Sequence, residues 1–280
     1  MARNVTAPPR SRGRTELPSQ VSALTSCFLA AADSMVPGFI EGLYLTGSVA
    51  LGDFFCHCSD VDFVAVSERR PDGAELKGLA AVHEIVRSSN PSLYFDGTHL
   101  TWSDLSAGPG ACAPAPFSHA GKFEPSGQFA IGPVTWLELV DHGLPVRGPA
   151  IIGAPIWRDD AVLRAWTLNN LVEYWQPWIA RYREGPPNVE RHQELVCWGV
   201  LGVARLHYTV TTARITSKTR AGHYALDVFD SRWIRIVSEA IRLRADPTAA
   251  SDYVDLRQRR REVVDFMAMV IESALRAEAV

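Results

Sequence analysis

The spacing of apolar positions changes character partway along the chain. From Val21 to Met35 they recur every three to four residues, which predicts a helix packed by one face and ending near Pro37-Gly38. Phe39 to Leu45 is a short run of bulky apolar residues stopped by Thr46-Gly47-Ser48, the pattern of a buried strand and a tight turn. A second strand is predicted over Val61–Val66, a helix over Ala74–Ser88 closed by Asn90-Pro91, and a third strand over Leu93–Thr101. Residues 106–133 are rich in Gly, Pro, Ala and Ser and show no period, which predicts a long loop or lid. A short helix over Val134–His142 stops at Gly143, and Pro145 to Pro149 leads to a domain boundary near 150–157.

Beyond residue 158 only helical periods remain: Asp159–Tyr182, Glu190–Val210, 219–228, Ser231–Arg244 and Asp252–Ala277. The expected fold class is α+β, with an N-terminal mixed sheet carrying helices and a C-terminal all-α bundle. The expected units are a flexible tail over 1–20, a sheet domain over 21–155 and a helical domain over 156–280. Leu171, Trp175, Trp178 and Tyr182 follow i, i+4, i+7, i+11 spacing and read as core, although Trp175, Trp178 or Trp198 could instead stack on a sugar ring in a cleft. Pro177 inside that helix predicts a kink.

Composition narrows the function classes. The chain has 280 residues, 47% of them hydrophobic, and a formal charge of −3, too apolar for a disordered chain and without the basic excess of a general nucleic-acid binder. Five cysteines with no framework spacing argue against a disulfide scaffold and fit a reducing, cytoplasmic setting. No apolar run is long enough for a membrane span. The charge is uneven: residues 21–150 hold 14 acidic against 6 basic side chains, a balance of −8, whereas residues 151–280 stand at +2. Cys56-His57-Cys58 lacks the second ligand pair that a zinc site needs.

The chemistry concentrates between Leu45 and Val64. A strand runs into Gly47-Ser48, a helical turn follows, and the next strand opens with Asp60-Val61-Asp62. Side chains at i and i+2 of a strand share a face, so these two carboxylates stand together. Such a pair repels itself unless a divalent ion offsets it, and Mg²⁺ takes this kind of half-site together with substrate phosphates. Gly47 permits close approach of a phosphate to backbone N–H groups and Ser48 adds a hydroxyl.

This stretch resembles the signature of the nucleotidyltransferase superfamily with the polymerase-beta-like fold, in which Gly-Ser precedes Asp-x-Asp on the adjacent strand. The second half narrows the resemblance. Leu201 to Lys218 looks like the helix and turn of the aminoglycoside adenylyltransferases that modify streptomycin and spectinomycin, and residues 133–149 resemble that family's join between domains. The resemblance implies two Mg²⁺ ions on Asp60, Asp62 and a third carboxylate, for which Asp96 is the candidate, and ATP as co-substrate held by Gly47, Ser48, Arg205 and Lys218. Asp96 would also be the catalytic base or serve as ligand alone; the family usually has the longer Glu there.

The activity so implied is transfer of AMP from ATP to a hydroxyl of an aminoglycoside-like small molecule, with release of pyrophosphate, in an interdomain cleft. The acceptor would be cationic or sugar-containing, the −8 half providing a carboxylate-lined wall, and the protein a monomer acting on neither nucleic acid nor membrane. One departure stands out. Where the streptomycin- and spectinomycin-modifying members place an acidic residue and a His before the helix arginine, this chain has Leu195 and Trp198, with His192 and Glu194 on other faces. Two alternatives remain open: nucleotidyl transfer to a protein or another metabolite, and a non-catalytic nucleotide-binding sensor of the same fold.

Overall fold

The computed structural model describes residues 17–186 and 192–278. A first helix, α1 (Ser19–Met35), starts inside the segment expected to be a tail; the rest of that segment, residues 1–16, lies outside the described residues. Among the described residues six strands follow in one mixed sheet: β1 (Gly42–Leu45), which leads into the short helical turn α2 (Gly47–Ala50), β2 (Val61–Ser67), β3 (Phe95–Thr101), β4 (Ala115–His119), β5 (Lys122–Gly127) and β6 (Leu144–Arg147). Their spatial order is β5-β4-β3-β2-β1-β6. Only β2 and β3 run parallel, joined by the crossover helix α3 (Gly73–Ser89); all other neighbours are antiparallel.

Alternation along the strands assigns the two sheet faces. Leu43, Leu45, Val61 and Phe63 pack against α1 and α3. Tyr44, Val64, Val66 and Leu100 pack on the other side against α5 (Pro133–His142) and α4 (Trp102–Ala107). Within the first layer His83 and His99 meet Nε2 to Nε2 at 2.9 Å among phenylalanine rings, and burial pushes both imidazoles well below the usual histidine range.

Three sequence expectations are corrected. The first strand begins at Gly42 rather than Phe39, which lies in the turn after Pro37. Residues 106–133 are not a structureless loop: α4 reaches Ala107, and β4 and β5 form a hairpin closed by Ala120-Gly121, both at positive φ as a two-residue turn requires. The linker at 144–147 is an edge strand on β1, where Pro145 is tolerated because an edge leaves one side of the ladder unpaired.

The helical half contains α6 (Asp160–Asn170), a π-helical turn (Leu171–Trp175), α7 (Gln176–Glu184), α8 (Gln193–Thr212), α9 (Lys218–Val228), α10 (Ile234–Ala245, after a 3₁₀ turn) and α11 (Leu256–Glu278). The helix expected over 159–182 runs without a break through the π turn, which ends two residues before Pro177. These helices share one core built on Trp175, Val200, Val203, Phe266 and Met267. A small cluster of Leu51, Leu137, Leu163 and Ile215 joins the two halves. Among the described residues no helix is long and apolar enough to cross a membrane.

Candidate active site

The parity that buries Val64 and Val66 under α5 also fixes the acids. Asp60 and Asp62 precede them at even spacing, and Asp96 has the parity of Leu100 on the neighbouring strand, so all three carboxylates project on the α5 side near the start of their strands. Asp62 and Asp96 are direct partners in the β2–β3 register. Opposite them α5 carries Glu138, buried between apolar neighbours. Together these acids line a cavity of about 280 Å³ whose other wall comes from the helical half: Arg205 on α8, Lys218 at the start of α9 and Arg244 on α10.

The first turn is shaped by close approach. Gly47 sits at φ +57°, and a Cβ there would lie 1.9 Å from Asp62 Oδ2. Only glycine allows both the left-handed backbone and that contact. The Gly47 N–H donates to Glu138 Oε2 at 3.3 Å, and Ser48 Oγ reaches only the Asp60 carbonyl at 3.5 Å. Asp96 is held by the hairpin: its Oδ2 accepts from Ala120 N–H at 3.0 Å and pairs with His119 Nδ1 at 3.1 Å. Its Oδ1 is buried and has no hydrogen-bond partner among the described residues.

Crowding of like charges sets the electrostatics. Burial, then Glu138, Asp60 and Asp96, push Asp62 up to about 7, with Arg205 opposing. Partial desolvation and Asp96 also raise Asp60, and burial raises Glu138 against the pull of Arg205 and the Gly47 N–H. On the far wall, burial and the neighbouring Arg205 and Arg244 push Lys218 down to about 8. The cleft thus keeps an acidic strip and a basic strip apart, each strained by its own kind.

Among the described residues no group of three or more His, Cys, Asp or Glu side chains is arranged to hold a metal ion by itself. Mg²⁺ does not require one, because it commonly takes one or two carboxylates and completes its shell with phosphate oxygens and water. Hard oxygens on Asp60 and Asp62 beside the unpartnered Asp96 Oδ1 fit such a half-site.

The residues expected to hold metal and nucleotide, Gly47, Ser48, Asp60, Asp62, Asp96, Arg205 and Lys218, all line this one cavity. Trp198 lines it too, with Lys218 Nζ 5.1 Å from its ring centroid, whereas Trp178 is packed with the helical core and stacked on Tyr182. His192 and Glu194 pair with each other in solvent. Glu138 and Arg244 are the residues sequence reasoning missed. Glu138 sits inside an amphipathic helix with no motif around it, and Arg244 reads as one more arginine at a helix end.

Five carboxylates of the first half, Asp53, Asp60, Asp62, Asp96 and Glu138, line this cavity. Asp33, Glu75, Asp104 and Asp141 lie away from it, in pairs with Arg147, Arg69, Arg70 and Arg158.

Comparison with known proteins agrees with this architecture. Residues 188–273 match the family described as aminoglycoside adenylyltransferase, C-terminal domain. Among solved structures the chain is similar to spectinomycin adenyltransferase AAD(9) from Enterococcus faecialis, determined with ATP and spectinomycin. The identity is 11% and the TM-score 0.60, covering 88% of this chain and 99% of that one. No curated protein matches. The resemblance to the aminoglycoside adenylyltransferases is thus supported by the family match in the helical half and by fold over most of the chain.

Proposed function

We propose that this chain transfers AMP from ATP to a hydroxyl of an aminoglycoside-like small molecule, with Mg²⁺, in the cleft between its two halves. The observation that carries the reading is the convergence of Asp60, Asp62 and Asp96 on one side of a single cavity and Arg205 and Lys218 on the other. In this reading Asp60 and Asp62 hold the metal, with Asp96 beside them. When bound, the ions supply positive charge against the triphosphate and lower the pKa of the attacking hydroxyl.

The chain's own groups supply the rest. Arg205 and Lys218 face the triphosphate and offset the charge that develops on departing pyrophosphate. The acceptor oxygen forms its bond to the α-phosphorus while the bond from that phosphorus to the bridging oxygen of pyrophosphate breaks. The hydroxyl proton passes to the unpartnered Asp96 Oδ1, which the Ala120 N–H and His119 hold from behind through Oδ2. An aspartate reaches less far than a glutamate, so the acceptor hydroxyl must come close to β3.

The test is pyrophosphate release with ATP, Mg²⁺ and a panel of aminoglycosides and related glycosides. Asp60→Asn is expected to lower turnover by about a thousandfold or more while circular dichroism stays unchanged. Turnover kept within about tenfold in that variant overturns the assignment.

A further inference from the structure

The cavity that holds the carboxylates opens into a second chamber of about 460 Å³. The two are continuous, because Val134, Thr135, Glu138, Trp198 and Arg205 line both. A molecule in the second chamber therefore lies beside the acidic strip, where an acceptor hydroxyl has to be. Its volume falls in the range of small-molecule sites.

The walls of this chamber are aromatic. Trp166, Tyr174 and Trp198 stand around its mouth, 41%, 41% and 38% exposed, and Trp175 lies deeper, stacked on Trp198 with ring centroids 5.5 Å apart. Gly202 on α8 leaves room for the Trp175 ring, whose nearest carbon would be 2.5 Å from a Cβ at that position. The Trp175 indole N–H donates to Asn170 Oδ1 at 3.1 Å, which fixes the amide so that its NH₂ is left as a donor at the chamber wall. Large half-exposed aromatic rings gathered around one concavity are a surface that a ligand covers.

Charge is what the chamber lacks. Among the described residues its lining holds a single carboxylate and a single cation, Glu138 and Arg205. Glu138 already accepts the Gly47 N–H and faces Arg205. The aromatic faces do not make up the deficit. Trp198, the ring nearest the reacting end, already carries the Lys218 ammonium, so a ligand cation there would meet two fixed positive charges. An ammonium brought into this chamber loses water and finds no free carboxylate in the chamber's own lining, the acidic strip next to it being the half-site assigned to Mg²⁺, which is unfavourable for each amine added.

We propose that this chamber is the acceptor site and that it selects an uncharged hydroxylated ring compound, a glycoside or cyclitol presenting a flat carbon face to Trp166 and Trp198, against a polycation. The inference deepens the adenylyl-transfer reading and rests on it. It also accounts for Trp198 standing on the stretch of helix where charged or hydrogen-bonding side chains were expected: at this wall stacking replaces charge recognition, while Leu195 packs against the helical core.

The decisive comparison keeps ring skeleton and hydroxyls constant and changes only charge. Spectinomycin and a polyamino deoxystreptamine glycoside are each offered with free amines and after N-acetylation, and binding is read from tryptophan fluorescence in the presence of ATP and Mg²⁺. The N-acetylated forms are expected to bind about tenfold or more tightly, with little change between about 0.05 and 0.5 M salt. Trp166→Ala should raise their KM about tenfold and leave kcat and the KM for ATP in place. Tighter binding of the free amines, weakened by salt, overturns the inference, and so does absence of binding by either form. Pyrophosphate release separates the two levels. Release favouring the free amines leaves adenylyl transfer standing and removes the selectivity. Tight binding of the acetylated forms with no release from any compound removes the transfer reading while the selectivity stands.

Discussion

Asp53 and Arg244 lie 191 positions apart in the chain and meet in a buried ion pair of 3.1 Å. The guanidinium also donates to the Asp53 carbonyl at 2.7 Å, and Asp53 Oδ2 accepts the Thr219 N–H at 3.2 Å in the first turn of α9. One side chain thus ties the loop after the Gly-Ser turn to two helices of the other half. Removing a single partner leaves the other charged and buried, so Asp53→Ala should cost about 3–5 kcal/mol in urea unfolding. Removing both, as Asp53→Leu with Arg244→Leu, should cost less than the sum of the single changes. Additive losses would show that the two residues are independent.

Gly47→Ala places a methyl group where the Asp62 carboxylate now sits, on a backbone conformation that alanine resists. Asp62 must move, and the acidic half-site moves with it. Addition of Mg²⁺ with ATP should raise the Tm of the wild-type protein and leave that of Gly47→Ala unchanged. The alanine variant should also be less stable by about 1–3 kcal/mol. A normal Mg²⁺-dependent Tm shift in the variant would refute the coupling between turn and carboxylate.

The pH dependence of nucleotide use should carry the signature of Lys218. Its ammonium is pushed down to about 8 by burial and by the Arg205 and Arg244 charges. The charged form is the one that faces a triphosphate favourably, and it prevails below that pH. The value of kcat/KM for ATP, which reports the free enzyme, should therefore rise as Asp62 ionises around pH 7 and fall above about pH 8 as Lys218 loses its charge. Lys218→Arg keeps its charge over the whole range, so the fall should disappear. A decline of the same shape in both proteins would assign it to another group.

The readable parts of this chain were those where local pattern and tertiary role coincide. Asp60 and Asp62 sit on a strand whose alternation is visible, after a glycine whose turn is visible, and the fold uses them where the pattern places them. The β4–β5 hairpin was hidden because Pro116, Pro125 and Gly127 break its alternation, and because β4 is held to β3 by a short register over Gly97 and Thr98. That omission concealed how Asp96 is oriented, since its two partners, His119 and Ala120, come from the hairpin turn. Glu138 and Arg244 acquire their meaning from residues far away in sequence, and no local window contains it. The −8 balance was a count without positions: it does not reveal that Asp53, Asp60, Asp62, Asp96 and Glu138 line the cavity while Asp33, Glu75, Asp104 and Asp141 pair with arginines elsewhere.

The π turn at Leu171–Trp175 sets the angular phase between the helices on either side of it. A π turn holds one residue more than the α-helical turn it replaces, and each residue advances a helix by about 100°. With that residue deleted, α6 would rotate by roughly that angle relative to α7, whose Ile179 and Tyr182 are anchored in the helical core. Trp166 and Asn170 would swing off the chamber wall while Trp175 stayed with the core. The gap between the aromatic walls is therefore written in the backbone's residue count, and a substitution at any one side chain adjusts its lining without resetting its width.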